Sequence, residues 1–317
     1  MKHILKISLA FICLSLAVPG FAQIRITASG DNISSISYSQ YKAGASAGEQ
    51  LFFRTLKNDL KNSGFFAEGL SGSEYILAGG SAPQGAGFSV RIQVFKANRS
   101  VYGRGYPASA RNATMVAHRV ADDILKALKG VQGMSSTRIA LVGTQTGKKE
   151  LYFCDSDGGN LQKLTNFGKT VMSPRWGPYG QKLTFTAWLQ QFPDVYLFDL
   201  QRGGNAQKIC SYPGMNAGGV ISPSGKELAV ILSKDGKPEL YVKQLSGGKL
   251  TRITYTRNSA KSTPCWSPDG KQIAFVSGHA GQPSVYTITR QTGAKPRKLV
   301  SRLGETVSPT WSKEGKI

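Results

Sequence analysis

A serine between small residues, two histidines and one acidic turn are the side chains whose types and spacing invite chemistry in this sequence. Gly44-Ala45-Ser46-Ala47-Gly48 matches the G-x-S-x-G pattern of a hydrolase nucleophile elbow. Acyl transfer from that serine needs an apolar strand before it, and an acid and a histidine after it. The flank before Gly44 is polar, and only His118 and His279 follow. Ser46 with Glu49 three residues on is instead a capping box, the N-terminal signature of a helix. No catalytic residue is assigned.

Metal and thiol chemistry fare no better. Asp155-Ser156-Asp157-Gly158-Gly159-Asn160 hints at calcium but lacks the full acidic loop. Its counterpart Ser246-Gly247-Gly248-Lys249 carries no acid, so both read as hairpin turns. Cys13 falls in the leader described below, which leaves Cys154, Cys210 and Cys265. They show no C-x-x-C spacing, and strand cysteines usually pack as small apolar residues. No cofactor and no metal are expected.

The elements that must position any site follow from a repeated phrase. Ser173-Pro174-Arg175-Trp176 and Thr263-Pro264-Cys265-Trp266-Ser267-Pro268-Asp269-Gly270 have a worn copy at Val220-Ile221-Ser222-Pro223-Ser224-Gly225 and another at Ser308-Pro309-Thr310-Trp311. Trp176, Ile221, Trp266 and Trp311 stand 45 residues apart. Three short apolar strands follow each phrase, and Tyr152, Tyr196, Tyr241 and Tyr286 mark the same place in each unit. Four strands per unit of this length make a propeller blade. The Ser-Pro-Asp-Gly corner suits a type I turn, and the tryptophans suit wedges between blades better than a ladder for sugars or peptides. The first unit opens at Arg138 with no such phrase, so its innermost strand must come from elsewhere. Trp311 is expected on an inner strand of a further blade.

Residues 23–135 read as a small α/β domain with helices on one sheet face. Leu51, Phe52, Leu56 and Leu60 predict a first helix closed at Gly64. Glu74–Ala78, Phe88–Phe95 and Val101–Tyr106 predict strands. Val116, Val120, Ile124 and Leu128 predict a second helix ending at Gly130. His118 lies off that stripe and is expected at the surface.

Residues 1–22 read as a secretory signal: a basic head at Lys2 and Lys6, a short apolar run from Ile7 to Val18, and small residues before Gln23. The net charge of +22 is spread without a basic run. It favours solubility and weak anion attraction rather than nucleic-acid binding.

Three stretches resemble the TolB family of the Tol–Pal system. They are Asn58-Asp59-Leu60-Lys61-Asn62-Ser63-Gly64, Ser136-Thr137-Arg138-Ile139-Ala140 and Trp266-Ser267-Pro268-Asp269-Gly270-Lys271. The resemblance implies a six-bladed propeller over 138–317 with about four blades present and the ring incomplete. It also implies a monomeric, non-enzymatic periplasmic binding protein, peripheral to membranes, that supports outer-membrane integrity and cell division. Its partners would be the outer-membrane lipoprotein Pal and the inner-membrane protein TolA. Carried onto this chain, Gln23, Ile24, Arg25, Ile26 and Thr27 form the TolA segment. Loops between blades, at Lys169, Thr170, Met215, Asn216, Asn258, Ser259, Lys261 and Ser262, form the Pal face. His279, Gln191, Phe192, Lys234, Asp235 and Gln282, from loops inside blades, are further candidates. Two alternatives stay open: the propeller of an exported prolyl-oligopeptidase-like peptidase, and a propeller that binds a small ligand in its channel.

Overall fold

The computed structural model describes residues 33–69, 72–256, 259–278, 282–299 and 305–317. The secretory leader and the TolA segment lie outside them, as do Asn258 and His279. The chain divides into two units, one up to Met134 and one from Ser135 onward.

In the first unit five strands and two helices alternate. They are β1 (Ser34–Lys42), α1 (Ala47–Asn62), β2 (Phe66–Glu68), β3 (Tyr75–Gln84), β4 (Gly87–Lys96), β5 (Arg99–Ala108) and α2 (Ala113–Lys129). The sheet order is β2-β1-β3-β4-β5. β1 runs parallel to both neighbours, and the remaining pairs are antiparallel. The capping box forms as expected: Glu49 N–H donates to Ser46 Oγ at 3.3 Å, and Ser46 N–H donates to Glu49 Oε2 at 3.0 Å. Gly130 ends α2 in the left-handed conformation, φ 67°, and donates to the carbonyl of Lys126. Phe52, Leu56 and Leu60 of α1 and Val116, Val120 and Ile124 of α2 bury one sheet face under the helices.

Two expectations need correction. The strands expected from the sequence leave out the polar, serine-rich stretch Ser34–Lys42, yet it is an interior strand. Ile36 and Tyr41 suffice to anchor it, and serine is small enough for the other positions. His118 is not at the surface but 2% exposed, with Nδ1 2.6 Å from Asp59 Oδ2 of α1. Ala117, Ala121 and Leu125 are also buried, so the covered face of α2 is one ridge wider than the stripe read from the large residues. Histidine lies inside that widened face, where a carboxylate partner offsets the loss of water.

The second unit is a series of antiparallel meanders. The first blade has three strands, β6 (Arg138–Gly143), β7 (Glu150–Asp155) and β8 (Gln162–Lys163). The second holds β9 (Val171–Trp176), β10 (Lys182–Ala187), β11 (Asp194–Asp199) and β12 (Ala206–Cys210). The third holds β13 (Asn216–Ile221), β14 (Glu227–Leu232), β15 (Glu239–Gln244) and β16 (Leu250–Arg252). The fourth holds β17 (Lys261–Trp266), β18 (Gln272–Ser277), β19 (Ser284–Thr289) and β20 (Arg297–Lys298). The 45-residue step survives in the backbone: β9, β13 and β17 begin 45 residues apart.

That step also sets a bulge in each inner strand. Ser173, Gly218, Thr263 and Ser308 all have positive φ, between 44° and 68°. The ladder to the next strand slips at the first three of these places, which bends and twists the strand. Trp311 corrects an expectation, because no strand is assigned within residues 305–317. The ring still packs on Ala274, Val276 and Val285 of the fourth blade. Thr306 N–H reaches the carbonyl of Pro283 at 3.0 Å, as Lys261 does to Pro238 and Asn216 to Pro193.

Candidate functional site

The loops that join one blade to the next emerge on one side of the second unit, and buried carboxylates hold them. Glu150, Asp194 and Glu239 open β7, β11 and β15, each fully or almost fully buried. Glu150 accepts Thr165 Oγ1 at 2.6 Å and Gly168 N–H at 2.7 Å, pinning the loop to β9. Glu239 accepts Thr254 Oγ1, Thr256 N–H at 2.6 Å and Thr256 Oγ1 at 2.9 Å, pinning the loop to β17. Asp194 takes the Lys208 ammonium at 3.0 Å instead. The signal for this series was present in the sequence. Pro193-Asp194, Pro238-Glu239 and Pro283-Ser284 recur at the 45-residue step just before the periodic tyrosines.

The proposed contact residues divide by burial. Asn216 is 0% exposed and spends its side chain on its own loop. Nδ2 donates to the carbonyls of Tyr212 at 2.8 Å and Gly214 at 3.0 Å, and Oδ1 accepts Tyr212 N–H at 2.7 Å. Lys261 is 2% exposed, with Nζ donating to Thr256 Oγ1 at 2.6 Å and to Ser259 Oγ at 2.6 Å and O at 2.8 Å. Burial pushes the Lys261 pKa down, while the charge of Glu239 works the other way. Ser259 is buried in the same knot. These three side chains shape the loops and offer a partner little surface. Lys169 and Ser262 are exposed, and Thr170 and Met215 are half-buried. Gln191, Phe192, Asp235 and Gln282 are exposed nearby in sequence, and Lys234 is half-buried. Asp235 accepts Lys234 Nζ at 2.7 Å and Tyr241 OH at 2.6 Å, which together hold its carboxyl below the usual range.

Among the described residues, the serine, the thiols and the acidic turn singled out in the sequence each have a structural place. The Ser46 hydroxyl donates to Glu49 Oε2 at 2.6 Å and serves α1. Cys154, Cys210 and Cys265 carry free thiols. Burial raises the pKa of Cys210 to about 12 and of Cys265 to about 11, so neither is a thiolate at neutral pH. Asp155–Asn160 is a hairpin turn, with Gly158 N–H on the Asp155 carbonyl and Gly159 N–H on Asp157 Oδ1. The paired strands of the blades present polar loops, an arrangement suited to recognition.

Comparison with known proteins bears on that reading. The model of the TolB beta propeller domain matches residues 125–317. The Tol-Pal system protein TolB of Desulfosudis oleivorans is 30% identical over 131 residues, covering 41% of this chain and 30% of that protein. The protein of the same name from Polaromonas sp. strain JS666 is 29% identical over 209 residues, covering 58% of this chain and 49% of its own length. The matched part of the chain therefore spans about a third to a half of these relatives. The crystal structure of TolB from Acinetobacter baumannii superposes with a TM-score of 0.80 at 24% identity, over 90% of this chain and 75% of that one. The likeness of fold thus extends across both units. With its blade repeat and a family match over more than half its length, the chain belongs to the TolB β-propeller family.

Proposed function

We propose that this chain is a non-enzymatic component of the Tol–Pal envelope system, working in the periplasm as an adaptor. Its propeller loops bind the outer-membrane lipoprotein Pal, and the segment Gln23–Thr27 binds the inner-membrane protein TolA. In that role it supports outer-membrane integrity and constriction during division. The observation that carries the reading is the family match over residues 125–317, together with relatives that bear the name of a Tol-Pal system protein. The loop side fits it physically. Buried carboxylates fix the backbone, and the exposed side chains are free to pair with another surface, so little order has to be imposed on binding.

The test is capture. The purified chain, immobilised and offered detergent-solubilised whole cell envelopes from its own organism, is expected to retain both Pal and TolA. A chain lacking residues 23–27 is expected to retain Pal but lose TolA. Failure to retain Pal would remove the central support. Saturable binding of a small ligand without Pal would favour the channel-binding alternative.

A further inference from the structure

The first unit carries a feature that its own packing does not explain. β5 is an outer edge of the sheet and runs for ten residues. The opposite edge, β2, has three, and the fourth strands β12, β16 and β20 have five, three and two. Long open edges invite pairing and are usually shortened, covered or interrupted by proline or a bulge. β5 has a bulge at Val101 and a proline at Pro107, which leaves Tyr102–Tyr106 as its regular open stretch. Among the described residues, the backbone of β5 pairs with β4 alone.

Gly103 and Gly105 sit in the middle of β5, where glycine weakens a strand. Neither has a positive φ. A Cβ at either would meet nothing closer than 3.9 Å, Gln93 Cγ for Gly103 and the Val90 carbonyl for Gly105. Among the described residues, no turn and no crowding requires them. A glycine of this kind marks a place where another backbone comes close.

The register shows what lies behind them. Gly105 pairs with Arg91 and Gly103 with Gln93. Arg91 in turn pairs with Gly80, and Gly80 with Lys42. With no side chains on Gly103 and Gly105, Arg91 and Gln93 are exposed and can extend across β5 to its free edge. β1, β3, β4 and β5 contain no Asp or Glu. Of their cations, Lys96 is paired with Glu74 and Arg104 with Asp123, while Lys42, Arg91 and Arg99 make no ion pair among the described residues.

We propose that the free edge of β5 takes up an extended acidic segment of a partner protein by strand addition, with Arg91 and Gln93 reaching over Gly105 and Gly103 to its carboxylates. Main-chain bonds supply affinity in this mode, and alternate side chains supply specificity. A second copy of the same strand is disfavoured, since β5 brings Arg99 and Arg104 and no acid of its own. The proposal is independent of Pal and TolA binding.

The probe is a blocked ten-residue peptide of alternating valine and glutamate, with a valine–lysine peptide as control. The glutamate peptide is expected to protect amides of residues 102–106 of the purified chain from hydrogen exchange, and the lysine peptide to leave them unchanged. Arg91→Glu is expected to weaken binding about tenfold, the scale of one lost ion pair in a partly desolvated contact. Gly105→Val puts a side chain that the chain itself accommodates in the path of Arg91. It should weaken binding by up to about tenfold, as Arg91→Glu does, while thermal unfolding stays at or above the wild-type midpoint. Equal protection by both peptides, no protection by either, or unaltered binding by Gly105→Val would overturn the proposal. So would protection that grows with protein concentration in the absence of peptide, which would indicate self-pairing.

Discussion

The boundary between the third and fourth blades and that between the first and second are built on the same phrase, yet they finish differently. At the former, Trp266 is buried against Ala229, Ile231 and Phe275, and its Nε1–H donates to the Val220 carbonyl of β13 at 2.9 Å. At the latter, Trp176 packs with Leu151 and Phe185, but its buried Nε1–H has no partner among the described residues. The carbonyl that serves Trp266 lies on the innermost strand of the preceding blade. Among the described residues the first blade begins at β6 and shows no strand in that position, and Ile139 of β6 is 48% exposed. An indole wedge thus packs at both of these boundaries and makes a directed bond at one. Trp311, which has β17 before it, also has no partner for its buried Nε1–H among the described residues, so a preceding inner strand does not by itself supply the bond.

The largest effect expected from breaking that comparison is Trp266→Ala, which empties the wedge and should cost about 3–5 kcal/mol in urea unfolding. Trp266→Phe keeps most of the packing but strands the Val220 carbonyl, for about 1–2 kcal/mol. A contrast between corners comes next. Tyr179 stands where the other blades have Ser224, Asp269 and Glu314, and it adopts φ 68° while 84% exposed. Left-handed backbone is unfavourable for a bulky residue and tolerable for asparagine, so Tyr179→Asn should stabilise by about 1 kcal/mol. Trp176→Phe removes a donor that has no partner among the described residues, and should stay within about 0.5 kcal/mol of wild type in the same unfolding measurement. Equal costs for the two Trp→Phe changes would mean that the directed bond adds nothing.

The smallest effect concerns pH. The Ser267 hydroxyl at 2.6 Å and the Lys271 N–H at 3.0 Å hold the Asp269 carboxyl below its ordinary value of 3.8. Its folded value is depressed, so its contribution is complete above pH 3.8 and fades as the pH falls through the lower folded value. Asp269→Asn keeps an acceptor without the titration. Its acid-unfolding curve should be flatter than wild type below that pH.

Much of this architecture was legible in the residues. The 45-residue step located every blade, because turn chemistry and the wedge position repeat with it. The capping box placed the start of α1. Side chains whose role depends on distant partners were not legible. Asn216 and Lys261 look like solvated loop residues, and only the folded loops show them spent on backbone carbonyls and hydroxyls. His118 looked exposed because alanines do not announce a buried ridge. β1 was missed because a serine-rich strand gains its hydrophobic character from neighbours rather than from itself.

The most direct test of the adaptor reading is a hydrogen-exchange footprint of the soluble domain of Pal on the purified chain. Protection is expected in the loops that carry Lys169, Thr170, Met215 and Ser262, with the Ser-Pro-Asp-Gly corners on the other side unchanged. Protection confined to those corners, or none at saturating Pal, would contradict it.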